Sequence, residues 1–293
     1  MGYLMRRLLA VTGLIMGAQL LLPPYFVDES SAQAASLEDI HDRGYLIVAV
    51  KDNRVPMGFI DGAGNLAGFE IDIARQLAQA LLGDAEAVQL VPVSNVERLS
   101  AVMEERVDVA IASLTLTEPR RRLVNFSDPY YLDGTAFAMY AGANETVARA
   151  EELRDLRLGT IALLNRSSAV AHVRYILPTA RLVSVTSYAE GQALLESGRV
   201  DAFAGDASIL AGWVRTREGL SAESSLGYRL LPEIISAEPL AIALPKGQQY
   251  DTLRAAVNQT VRDWYAQEWL QENAEFWGLP SGILPSLSSV TDE

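Results

Sequence analysis

Two hydroxyls and a guanidinium that could hold an acid stand in one short stretch, with a third hydroxyl placed to cap a helix. Ser113, Thr115, Thr117 and Arg120 fall within residues 107–131, which read VDVAIASLTLTEPRRRLVNFSDPYY. The run 107–112 is apolar and ends in small residues, which predicts a buried strand of a parallel sheet. Thr117-Glu118-Pro119 predicts a helix start, with a threonine cap and an acid and a proline in the first turn. Open α/β sheets hold their ligands at the carboxyl ends of such strands. Hydroxyls, backbone N–H groups and a guanidinium gathered there suit one small carboxylate, which arginine holds through two parallel hydrogen bonds. Taken singly, the same features also describe a strand, a helix cap and a solvated face of three arginines.

The elements around this stretch predict its setting. Residues 45–50 form an apolar strand, and 51–56 the loop at its end. Asp61-Gly62 predicts a turn between two short runs. Ile71, Ala74, Leu77, Ala78 and Leu81 recur at helical spacing from Glu70 until Gly83 stops the helix. A strand at 88–93, a helix at 96–103 and the strand at 107–112 follow, so the order is strand–helix–strand–helix–strand. That order predicts an α/β fold with a largely parallel sheet. Residues 94–113 are echoed 93 residues later by 187–206, sharing Ser, Glu and Arg-Val-Asp without a gap. The echo supports two lobes built alike, one strand ending at Ser113 and the other at Asp206. The apolar segments 134–141 and 239–244 are expected to cross between lobes. Lobe 1 is then 36–139 plus 242–279, and lobe 2 is 140–241. Residues 250–278 predict a helical return to lobe 1 with Val257, Val261, Trp264 and Tyr265 on one face. The Ser- and Pro-rich tail 280–293 is expected to be flexible.

Composition excludes several functions. The chain has 293 residues and a net charge of −13, which argues against nucleic acid or an anionic membrane surface as partner. It has no Cys, so no disulfide, thiolate metal site or Cys-linked lipid is expected, and its two His stand far apart. No metal or cofactor is expected. Arg6-Arg7, the apolar run 8–22 and Ala32-Gln33-Ala34 read as a secretory signal, residues 1–34, with an uncleaved anchor as the alternative. The protein is therefore expected outside the cytoplasm.

As one block, residues 107–131 resemble the signature of the family 3 extracellular solute-binding proteins. That signature runs strand, S/T-x-T/S-x-T-x-x-R, then D-F-S-D-P-Y-Y; here N-F-S-D-P-Y-Y stands at 125–131. Lys51-Asp52…Pro56, Gly68-Phe69-Glu70-Ile71-Asp72 and Arg199-Val-Asp-Ala-Phe-Ala-Gly-Asp206 also fall in family order. The resemblance spans 37–279 and is greatest to the aspartate/glutamate-binding branch. It implies a two-lobed type II periplasmic-binding-protein fold, with two crossing strands as a hinge. It further implies a ligand α-carboxylate on Arg120, Thr115 and Ser113, and an α-ammonium on Asp206. Lys51 and Arg98 match the cationic positions of the acidic branch, and Tyr188 a hydroxyl contact. Arg54 is a further candidate, near a position where many members carry an aromatic lid, and this departure argues against a hydrophobic ligand. Many members carry Q-G-T/S-T where Ile161-Ala-Leu-Leu-Asn-Arg-Ser-Ser168 stands here, so Asn165 and Ser167 are the expected donors of that loop.

The resemblance implies a monomeric receptor, not an enzyme, that binds a free amino acid, glutamate or aspartate before glutamine, and docks on a membrane-embedded ABC permease. Two alternatives stay open. A dehydratase of a carboxylated cyclohexadiene resembles the same fold but needs a general acid, and the sequence offers none beyond Asp206. A sensing ectodomain would call for a second membrane segment, and no later stretch is apolar enough for one.

Overall fold

The computed structural model describes residues 34–140, 152–214 and 227–279. The expected export signal, apart from Ala34, and the expected tail 280–293 lie outside the described residues.

After helix α1 (Leu37–Arg43), strand β1 (Leu46–Val50) is buried along its whole length. Its side chains alternate between two layers: Leu46, Val48 and Val50 join the cluster containing Ile71, Ala74 and Leu77, while Ile47 and Ala49 join Ala101 and Val102. A strand covered on both faces needs no polar side, which is why it reads as an unbroken apolar run. A small meander follows, made of β2 (Asn53–Arg54), β3 (Gly58–Ile60) and β4 (Leu66–Ala67). Helix α2 (Phe69–Leu82) stops at Gly83, whose φ of 80° needs glycine and whose N–H caps Gln79. Then come β5 (Val88–Pro92), α3 (Glu97–Met103), β6 (Val109–Ile111), the one-turn α4 (Glu118–Arg121) and the long β7 (Asn125–Asp133).

The second half repeats the plan. It runs β8 (Thr135–Tyr140), β9 (Thr160–Leu164), α5 (Ala169–Ile176), β10 (Arg181–Val185), α6 (Tyr188–Glu196), β11 (Ala202–Asp206), α7 (Ala207–Val214) and β12 (Tyr228–Leu230). The return is β13 (Glu238–Leu244), α8 (Asp251–Ala266) and α9 (Trp269–Phe276). One sheet has the order β5-β1-β6-β13-β7, the other β10-β9-β11-β8-β12. Each is three parallel strands followed by an antiparallel strand inserted from a crossing segment. The echoed stretches occupy equivalent places, with β6 beside β1 and β11 beside β9, both parallel.

The chain leaves the first sheet at Asp133 and enters the second at Thr135. It returns past Ile235, whose N–H donates to Thr135 O at 2.9 Å, to Glu238, which pairs with Asp133. The two crossings touch: a Cβ on Gly134 would lie 2.5 Å from Ser236 O. The change of sheet thus falls earlier than the sequence-based boundaries, because residues 139/140 lie at the end of β8 and 241/242 inside β13. Apolar character continues through the strands on both sides of a crossing, so hydropathy marks the strands and not the sheet each joins.

The tyrosine-rich segment after α4 serves packing. Ser127 Oγ accepts from Ile242 N at 3.0 Å, Asp128 N donates to Asn258 Oδ1 while its Oδ2 accepts from Arg262 Nε (both 2.8 Å), and Pro129 O accepts from Tyr265 Oη at 2.8 Å. Leu253, Val257, Val261 and Trp264 of α8 are buried in the same cluster as α2. No helix among the described residues is long and apolar enough to cross a membrane.

Candidate functional site

The end of β6 turns sharply at Ser113, whose φ of 50° lies in the left-handed region that a non-glycine residue rarely enters. Four hydrogen bonds hold it there. Ser113 N donates to Glu70 Oε1 at 2.7 Å, Ser113 Oγ to Glu70 Oε2 at 3.2 Å, and Arg98 Nη1 donates to the carbonyls of Ala112 (2.8 Å) and Ser113. Glu70 is fully buried in the first turn of α2 and also accepts from Tyr130 Oη at 2.6 Å. Burial raises its carboxyl above the ordinary range, while the bonds from Tyr130 and Ser113 pull the other way. The Ser113 hydroxyl, expected to face a ligand, is thus given to Glu70. Arg98, expected to read a ligand side chain, braces this turn with one of its nitrogens.

Two residues on, Thr115 Oγ1 donates to Glu238 Oε2 at 3.3 Å, and Arg120 Nη1 donates to Thr115 O at 2.8 Å. Thr117 stands at the cap of α4, but its hydroxyl makes no capping hydrogen bond. Half-buried Arg120 loses some of its basicity to burial, and the charges of Glu238 and Asp206 act against that loss. Asp206 lies on the other sheet, at the end of β11, so its carboxylate and the Arg120 guanidinium come one from each lobe.

At the end of β11, Asp206 N donates to Tyr188 Oη at 3.0 Å. Asp206 Oδ2 accepts from Arg54 Nη1 at 2.9 Å, an ion pair from the meander of the first lobe to the sheet of the second. Arg54 is 3% exposed; its Nη2 donates to Asn95 Oδ1 at 3.1 Å, and its guanidinium lies 5.4 Å from the Tyr188 ring centroid. Asp133, buried at the first crossing, accepts from Gly134 N and from Ser208 N and Oγ. Burial and the Asp206 carboxylate push it up to about 7. Lys51 is 1% exposed and donates to Val93 O; burial first, then Arg54 and Arg98, lower it to about 8.

Glu238 forms a second cross-lobe centre at the return crossing. It accepts from Thr115, Thr135 (2.7 Å), Ser236 (2.7 Å) and Ser168, and His172 Nδ1 stands 3.4 Å from Oε1. Ser168, at the start of α5, therefore reaches this centre where Ser167 was expected to donate. Ser167 Oγ turns back to Leu164 O at 2.9 Å. Asn165 holds Val185 O through its backbone N–H, and no contact joins its half-buried side chain to the cluster. Lys51, Arg98, Ser113, Thr115, Arg120, Tyr188 and Asp206 are linked through hydrogen bonds or mutual electrostatics; Asn165 and Ser167 are not.

Glu70, Asp133, Ser168 and Glu238 escaped sequence reasoning. Glu70 stands at a helix start and Glu238 at a strand start, where an acid is unremarked. Apart from Ser236, their partners lie 43 to 123 residues away. Among the described residues no cluster of three or more His, Asp or Glu could hold a metal ion. A separate groove of about 430 Å³ lies between α2 and α8, lined by Gln76, Leu81, Gln259, Thr260 and Trp264 among others, and none of the nine expected site residues faces it.

Comparison with known proteins gives a consistent picture. The family model described as bacterial extracellular solute-binding proteins, family 3, matches residues 46–280. A glutamine-binding protein of Geobacillus stearothermophilus is 31% identical over 220 residues, covering 74% of this chain and 79% of its own. The L-cystine-binding protein of Escherichia coli is 26% identical over 252 residues, covering 85% and 88%. Among solved structures, an ancestral amino-acid-binding protein described as a precursor of cyclohexadienyl dehydratase superposes with a TM-score of 0.70 at 25% identity. That match covers 82% of this chain and 98% of the other.

Proposed function

Because the chain belongs to the bacterial extracellular solute-binding proteins of family 3, we propose that it captures a polar or acidic L-amino acid for a membrane-embedded ABC permease. Glutamate or aspartate is the first choice and glutamine the next. One observation carries the reading: a carboxylate of the second lobe, Asp206, meets the first lobe through Arg54 at 2.9 Å, while a guanidinium of the first lobe, Arg120, is held on the Thr115 carbonyl at 2.8 Å. Those are the two groups a zwitterion needs, since an unpaired charge in a closed cleft is costly. Arg120, held in place by the Thr115 carbonyl, takes the α-carboxylate, and Asp206 the ammonium. Ser113 contributes through the turn that Glu70 holds, and Tyr188 fixes the Asp206 backbone. Lys51 and Arg98 supply positive potential from behind the cleft wall. Closure is a hinge motion at Gly134 and at residues 235–238. The aspartate/glutamate preference rests on the cations alone, since the relatives named above bind glutamine and cystine.

Calorimetric titration of the protein with each of the twenty amino acids tests the reading. Heat is expected with glutamate, aspartate or glutamine; a folded protein that binds none of the twenty contradicts it. The dehydratase reading gains one point from the structure. Asp133, a buried carboxyl beside Asp206 that holds its proton up to about 7, is an acid the sequence did not reveal. Incubation with prephenate or arogenate separates the two, because aromatic product forms only if that second reading holds.

A further inference from the structure

We propose that Arg54 is the specificity-determining residue of the cleft: it is shared between Asp206 and a second carboxylate on the ligand, and so selects acidic amino acids over neutral and cationic ones. The proposal rests on the receptor reading above and names the residue that sets its ligand class.

Four cations surround the site, and they differ in what they touch. Lys51 donates a hydrogen bond to the Val93 carbonyl and Arg98 two to the end of β6, all main-chain groups of their own lobe. Arg120 grips the Thr115 carbonyl, also in its own lobe. Arg54 reaches across to Asp206 at 2.9 Å. Asp206 and Asn95 each take one of the five N–H donors that a guanidinium carries in a fixed fork. Tyr188 fixes both partners, with its hydroxyl on Asp206 N and its ring against the guanidinium. The pair is therefore set at the point where a ligand ammonium would dock.

Two consequences follow for a ligand. Its ammonium must share a carboxylate that already has a guanidinium on Oδ2. The second cation on one carboxylate gains less than the first, because the two cations repel each other; that repulsion is offset by further negative charge. A distal carboxylate supplies it and meets the remaining donors of Arg54. It also relieves the crowding of like charge, for Arg54 heads the charges that lower Lys51 and Arg98. A neutral amide supplies no charge, and a cationic side chain adds to the repulsion.

The test is calorimetric titration of the wild-type protein, Arg54→Gln and Arg54→Lys with glutamate, glutamine and arginine. The wild type is expected to prefer glutamate over glutamine by at least tenfold and to reject arginine. In Arg54→Gln the glutamate-to-glutamine ratio should fall by about tenfold, with glutamate losing more affinity than glutamine. Arg54→Lys keeps the charge but loses the fork, and should keep the preference in weakened form. If both affinities fall equally in Arg54→Gln, Arg54 only ties the lobes together and the proposal is overturned. A wild type that prefers glutamine or arginine overturns it as well. A folded wild type that binds no amino acid overturns the receptor reading itself, an outcome distinct from an unchanged ratio in a protein that binds.

Discussion

Replacing Glu238 by alanine should cost more than any other single change at the crossings. Its carboxylate gathers four hydroxyls, and two of them belong to residues with almost no access to water: Thr135 is 1% exposed and Thr115 7%. Ser168 and Ser236 are less enclosed and recruit solvent when the acceptor is removed. An orphaned buried hydroxyl costs about 1–3 kcal/mol; Thr135 keeps Ser236 Oγ at 3.1 Å, so Thr115 sets the loss at about 1–3 kcal/mol. That is a measurable part of the roughly 5–15 kcal/mol that holds a folded domain. Glu238→Gln keeps the shape and one acceptor oxygen, and should lose less. It should also change the response to acid. Burial raises the Glu238 carboxyl, but hydrogen bonds from Ser168, Thr135 and Ser236 outweigh burial, and the carboxyl lies below its ordinary 4.5. A depressed acid stabilises the fold fully above its unfolded value, and that contribution is lost as pH falls through the folded value. Urea midpoints from pH 7 downwards measure both effects. A Glu238→Ala midpoint equal to wild type at pH 7, or an acid slope unchanged in Glu238→Gln, would refute the hydrogen-bond account of this centre.

Two further changes probe neighbouring groups. Tyr130→Phe removes a 2.6 Å donor from the buried carboxylate of Glu70 and should lower stability by about 1–3 kcal/mol; an unchanged urea midpoint would mean that Ser113 alone satisfies Glu70. Asp133 is raised to about 7, so the folded state holds a proton that the unfolded chain has released. Its contribution is complete below the ordinary 3.8 and is lost as pH rises through about 7. Tm should therefore decline over that window in the wild type and lie flatter in Asp133→Asn, and parallel Tm curves would contradict the assignment.

Features carried by local periodicity were legible in the chain itself. The spacing of Ile71, Ala74, Leu77 and Ala78 and the stop at Gly83 predict α2 to within a residue of its bounds. The echo between 94–113 and 187–206 predicts two sheets of like order, and the order is alike. Hydropathy could not say which sheet a strand joins, so the lobe boundaries fell at the end of β8 and inside β13. Nor could it tell a ligand donor from a brace. Ser113 and Arg98 have the residue types of a binding site, yet each has partners in the wall of its own lobe. The loop at 165–168 shows the limit of register: adjacent serines look equivalent in sequence, but the turn after β9 sends Ser167 back to Leu164 and Ser168 to Glu238.

The most direct test of the receptor account is a crystal structure of the protein grown with glutamate. The account predicts density for the amino acid between the lobes, its α-carboxylate on Arg120 and its ammonium on Asp206. Glutamate bound instead in the groove between α2 and α8, or seated between the lobes with its ends reversed, would contradict it.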